Sequence, residues 1–106
     1  MTLEKRSNIR TAVKLPVRWE GTSGLQETHV EDIGLGGCFV STRGKVNVGS
    51  PIVLQVQLFN RDWMPVRGQV VTYHPGIGFG VVFWPLTSRE RSSLRFVIPN
   101  YRVACV

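Results

Sequence analysis

Between residues 13 and 83, polar and apolar side chains trade places in one short stretch after another. In VKLPVRWE at 13–20, Val13, Leu15, Val17 and Trp19 alternate with Lys14, Pro16, Arg18 and Glu20. Successive side chains of an extended chain point to opposite faces, so this pattern buries one face of a strand and wets the other. IVLQVQLF at 52–59 repeats it, with Ile52, Leu54, Val56 and Leu58 set against Gln55 and Gln57. Four further segments read as strands: LQETHVED at 25–32, GCFVST at 37–42, MPVRGQVVTYH at 64–74 and GFGVVFW at 78–84. Turn chemistry separates them, in GTSG at 21–24, VNVGSP at 46–51, NRD at 60–62 and PGI at 75–77. Short strands punctuated this regularly point to a barrel or sandwich rather than a parallel sheet with helical crossovers. Pro16 sits on the wet face and cannot donate a ladder hydrogen bond, which places it at an edge or a bulge.

The last part of the chain changes period. Thr87 and Glu90 have capping-box spacing, Leu94, Val97 and Ile98 share one helical face, and Pro99 ends the run. The expectation is an all-β fold, a six-stranded antiparallel β-barrel with a C-terminal α-helix over one opening. The barrel would occupy residues 12–85 and the helix 87–98. With 106 residues, 42% of them hydrophobic and 19% charged, the chain reads as a single domain over 1–106. It has no internal repeat, low-complexity tract or linker.

Several function classes are disfavoured. No apolar run reaches the roughly 18 residues of a spanning helix. The N-terminal MTLEKRSNIR has no apolar region after its charges, so a cytoplasmic location is expected. Cys38, Cys105, His29 and His74 are mutually isolated in sequence, which offers neither metal-ligand spacing nor a nucleophile with its base. The cysteines read as reduced and structural, and neither a cofactor nor an enzymatic activity is expected. Charge points elsewhere. Thirteen basic residues against seven acidic give +6, which favours an anionic partner. Most of the basic residues are arginines, whose planar fork suits phosphate oxygens and guanine edges.

Two segments stand apart from the strands. RSNIR at 6–10 sets Arg6 and Arg10 four residues apart in a polar stretch without core periodicity. That spacing recurs in Arg91 and Arg95, on the expected helix, where it reads as a solvated face. Nothing in the N-terminal stretch fixes Arg6 and Arg10 except a ligand. If extended, their Cα atoms stand about 13 Å apart, wide enough to grip two ends of a bulky anion. The second segment is DIGLGG at 32–37. Gly34, Gly36 and Gly37 permit unusual backbone dihedrals and close approach to main-chain N–H groups. Asp32 supplies an acceptor within a basic protein, as the N1–H and N2–H₂ donors of guanine require. Taken alone, the segment also reads as a glycine turn with a capping aspartate.

In this order the two segments resemble the PilZ domain family, whose pattern is RxxxR, then (D/N)xSxxG, then a β-barrel and a C-terminal helix. Arg10 and Asp32 are separated by 21 residues, and DIGLGGCFV resembles the second motif entering its next strand. GQVVTYHPGIGFGVVF at 68–83 is similar to the family's closing hairpin, and the resemblance covers residues 4–98. It implies binding of cyclic di-GMP, which carries two guanines and two phosphates. Arg6 and Arg10 would then contact phosphate and guanine, and Asp32 would accept from a guanine edge. Gly37 would leave room for the ring, with Gly36 beside it. Lys5 would help neutralise a stacked ligand dimer. The family's serine is Gly34 here, so a hydroxyl contact is missing.

The same resemblance implies recognition without turnover, relayed to an unidentified protein effector in motility, secretion or polysaccharide synthesis. Residues 1–11 are expected to be a flexible arm that orders on the ligand. The alternative is a PilZ-like adaptor that contacts proteins and binds no nucleotide. Nucleic acid is not expected as a partner, because Trp19, Phe79 and Phe83 fall on apolar strand faces rather than on an exposed stacking platform.

Overall fold

The computed structural model describes residues 11–21 and 24–97. Six strands follow one another: β1 (Thr11–Gly21), β2 (Gly24–Ile33), β3 (Gly37–Ser41), β4 (Pro51–Gln57), β5 (Trp63–His74) and β6 (Gly78–Phe83). All neighbours are antiparallel, in the order β1-β2-β3-β6-β5-β4, and β4 returns to β1 to close the barrel. Closure removes the unpaired strand edges that would otherwise template aggregation. The expected six-stranded antiparallel barrel is the fold observed.

Inward positions of every strand fill the interior. Leu15, Val17 and Trp19 meet Val30, Val40, Leu54, Val56, Val66, Val70, Phe79 and Val81 in one core, all at most 4% exposed. The core is rich in β-branched residues, which suit a pleated surface. The helix α1 (Ser88–Val97) delivers Leu94 into the same core, where it is fully buried. Its capping box is formed: Thr87 Oγ1 accepts from the Glu90 N–H (3.1 Å), and Glu90 Oε1 accepts from the Thr87 N–H (2.9 Å).

The seam between β1 and β4 is short, with Val17 opposite Val56 and Arg18 opposite Gln55. Pro16 lies just outside that pairing and close to a register shift between Ala12 and Leu15. Its missing N–H therefore removes no bond to β4, in keeping with the expected edge or bulge. Arg18 ties across the seam, its guanidinium 3.7 Å above the ring of Trp63 on β5. Glu27 on β2 is 4.0 Å from Arg18 Nε, beyond hydrogen-bonding distance, so this pair, with Glu27 exposed, adds little.

One boundary differs from the pattern. Leu58 and Phe59 keep the alternation, Leu58 packing against the core and Phe59 69% exposed, but they lie beyond the end of β4 at Gln57. Asn60 and Asp62 cause the break. The Asp62 N–H bonds Asn60 Oδ1 (3.0 Å), the Leu58 N–H bonds the Asp62 carbonyl (2.8 Å), and Arg61 adopts φ 76°. Asparagine side chains that mimic a backbone turn stop a strand in this way. The segment 42–50, between β3 and β4, crosses one end of the barrel, because those strands are not neighbours. It is held by Thr42 N–H to the Ile77 carbonyl (3.0 Å) and by Gly49 N–H to the Val70 carbonyl (2.7 Å). The turn 34–36, the turn 58–62 and the entry to α1 gather at the opposite end.

Candidate functional site

The turn that follows β2 is shaped by its two apolar residues. Ile33 is fully buried and Leu35 packs against the core, so the DIGLGG segment is nailed down at alternate positions. Two backbone bonds complete it: Gly34 N–H to the Gly37 carbonyl and Phe83 N–H to the Gly36 carbonyl, both 2.9 Å. The second bond fastens the turn to the end of β6. Gly34 and Gly37 are buried and Gly36 is half-buried.

The glycines differ from expectation in one respect. Left-handed backbone occurs at Gly24, Gly49, Gly76 and Arg61, not at Gly34, Gly36 or Gly37. The Gly34 N–H is also committed within the turn and does not face a ligand. What these three contribute is the absence of a side chain in a tight turn, rather than an unusual dihedral.

Asp32 owes its placement to a bulge. Strict alternation from the buried Val30 would turn residue 32 toward the core. The β2–β3 register shifts between Val30 and Asp32, so Ile33 points inward instead and Glu31 and Asp32 are both half-buried. Bulges re-aim side chains in this way at functional rims. The sequence sign is the consecutive acidic pair in VEDI, between two inward residues.

On β1, Thr11 pairs with Ile33 and Ala12 with Asp32. Thr11 is the residue directly after Arg10, and β1 begins there, against the start of the 32–37 turn. Lys5, Arg6 and Arg10 themselves lie outside the described residues, as does most of the expected arm 1–11. Of the expected ligand-binding set, the structure brings together Asp32, Gly34, Gly36 and Gly37. The Phe83–Gly36 bond and the Thr11–Ile33 register were not evident in the sequence, because both join residues far apart in the chain.

Among the described residues no cluster of His, Cys, Asp or Glu could hold a metal ion, and no helix is long and apolar enough to cross a membrane. Cys38 is buried in the core; Cys105 lies outside the described residues.

The architecture is a closed six-stranded barrel with one helix that sets Leu94 into its core and a glycine turn at its mouth. A family model for the PilZ domain matches residues 4–98, and the chain belongs to that family. Solved structures agree on the fold. The PilZ domain of CeSA from a cellulose-synthesizing bacterium superposes with a TM-score of 0.63 at 17% identity, covering 85% of this chain and 94% of that one. The Bacillus subtilis inhibitor of motility, MotI/DgrA, gives 0.65 at 13% identity and covers 90% of this chain. The present chain spans 49% of that protein. None of the curated proteins compared matches this chain.

Proposed function

We propose that this domain is a receptor for cyclic di-GMP and passes the signal on by protein contact. PilZ domains are regulatory binding domains and generally bind this nucleotide. One observation supports the reading here: β1 opens with Thr11 paired to Ile33, so the residue that follows Arg10 in the chain lies at the start of the turn containing Asp32 and Gly37. Arg6 and Arg10 hold phosphate and guanine by forked, charge-assisted hydrogen bonds. Asp32 accepts from a guanine edge, and Gly36 and Gly37 leave the ring room. Lys5 adds charge for a stacked pair of ligands. Residues 4–10 gain their partners when the anion arrives, and the ordered segment alters the surface that an effector meets. That one protein of this fold is an inhibitor of motility supports looking for a protein target.

Calorimetric titration with cyclic di-GMP, GMP and a short oligonucleotide tests the reading. Micromolar or tighter binding of cyclic di-GMP alone is expected. Absence of heat at high micromolar ligand transfers the domain to the second reading, an adaptor that binds no nucleotide. Gly34 is the residue favouring that second reading, since the motif's serine is missing. Gly34→Ser should tighten binding by no more than about tenfold, because it restores one neutral hydrogen bond of about 0.5–1.5 kcal/mol. The position is not left-handed, so a Cβ brings no φ strain. A far larger gain would show that glycine disables the site through the turn's backbone.

A further inference from the structure

The outer face of β4, β5 and β6 carries a group of exposed apolar side chains that the nucleotide site does not use. Val53 is 49% exposed, Val71 41%, Val82 45% and Trp84 46%. Register sets three of them around Arg67. Val53 pairs with Arg67, and the Trp84 N–H bonds the Arg67 carbonyl at 2.9 Å, which sets Trp84, Arg67 and Val53 in one row across three strands. The adjacent row is Val82, Gln69 and Pro51. Beside Trp84 a groove of about 470 Å³ runs between β5 and the start of α1, walled by Pro65, Pro85 and Leu86. Exposed apolar side chains grouped around one arginine on a small domain suit an interaction site, and Trp and Arg are the residues most concentrated where binding energy is focused.

Charge selects the occupant. Arg67 sits at the centre of the row and has no ion pair or side-chain hydrogen bond among the described residues. Glu90, on the rim of the groove, is engaged with the Thr87 N–H. A second copy of this chain docking about a two-fold axis through the patch would set Arg67 against Arg67, in a protein that already carries +6. A phosphate-lined surface would need several cations together, whereas Arg67 stands among valines and a tryptophan. We propose that this face docks a partner protein that presents a carboxylate ringed by apolar side chains, with Arg67 pairing the carboxylate and Trp84, Val53 and Val82 covering its flanks. The face supplies the protein contact of the proposed relay and requires no nucleotide. It shares β6 with the ligand turn, since Val82 pairs with Gly37.

The probe is a synthetic amphipathic helix bearing one glutamate flanked by leucines, with a lysine-for-glutamate peptide as its counterpart. Both are titrated into the nucleotide-free domain and followed by amide chemical shifts. The acidic peptide is expected to saturate and to shift Val53, Arg67, Val82 and Trp84. The lysine peptide should bind at least about tenfold more weakly, one charge-assisted contact being lost. Arg67→Glu, a change at an exposed position, should reverse the preference. The proposal is overturned by equal binding of the two peptides, by an unchanged preference in Arg67→Glu, by shifts mapping elsewhere, or by no saturable response at millimolar peptide. Concentration-dependent dimerisation lost in Trp84→Ala would overturn it in favour of self-association. Because no nucleotide is present, none of these outcomes bears on cyclic di-GMP binding.

Discussion

Phe79→Ala is expected to destabilise the domain by about 3–5 kcal/mol, the range for truncating a fully buried aromatic ring. Phe79 is completely buried and lies on β6 between Val40 of β3 and Tyr73 of β5. Its ring stands edge-on to Trp19, with centroids 5.3 Å apart and planes at 77°. The substitution removes transfer energy, opens a cavity between strands paired on both sides, and loses the aromatic pair, worth about 0.5–1.5 kcal/mol beyond area. Domains of this size have stabilities of about 5–15 kcal/mol, so the melting temperature should fall by roughly 15–30 °C. Thermal and urea unfolding monitored by circular dichroism measure it. The contrasting variant is Trp19→Phe. Among the described residues the buried indole Nε1 has no hydrogen-bond partner, so replacing it removes an unpaired donor that costs about 1–3 kcal/mol, which offsets part of the cavity. A loss for Phe79→Ala no larger than that for Trp19→Phe would mean that the ring pair is not the centre of the core.

The contrast between these two aromatics bears on what a linear reading can reach. Alternation identified which side chains face inward, Trp19 and Phe79 among them, because burial of one strand face is a local property. The same pattern gave the right faces for Leu58 and Phe59 but carried the strand past Gln57, where the Asn60–Asp62 turn ends it. Strand order was out of reach of the pattern. That β4 closes on β1 rests on two residue pairs and on Arg18 against Trp63, none of them near neighbours in the chain. At the mouth, Asp32 and the glycines were visible as a motif, but the bulge that turns Asp32 away from the core is a register event between two strands. The juxtaposition of Thr11 and Ile33 is of the same kind. Arg67 and Trp84 read as ordinary outward strand positions, since no periodicity distinguishes a wet face from one awaiting a partner.

Arg10→Ala is expected to weaken cyclic di-GMP binding by about 10- to 150-fold, the equivalent of one charged hydrogen-bonding contact of about 1.5–3 kcal/mol. Arg6→Ala should act comparably, and the double variant should leave no heat in a calorimetric titration at high micromolar ligand. Geometry can be separated from charge. Arg10→Lys keeps the cation but loses the planar fork that grips two oxygens or stacks on a base, so it should recover only part of the affinity. Full recovery would make the contact a point charge. The control is Arg91, which shares the RxxxR spacing with Arg95 but lies exposed on α1, with its guanidinium 3.4 Å from the Leu86 carbonyl. Arg91→Ala should leave affinity within about twofold, because an exposed charge that makes no direct contact with the ligand is screened by salt. If Arg6→Ala and Arg10→Ala instead fall within twofold while Arg91→Ala weakens binding, the anion site is on the helix. The pairing of Thr11 with Ile33 would then serve the barrel alone. Amide protection at residues 4–10 provides the second readout, with β4 as the internal reference. Protection should rise with ligand at 4–10 and stay constant at 52–57, and equal protection in both states would remove the ordering step from the relay.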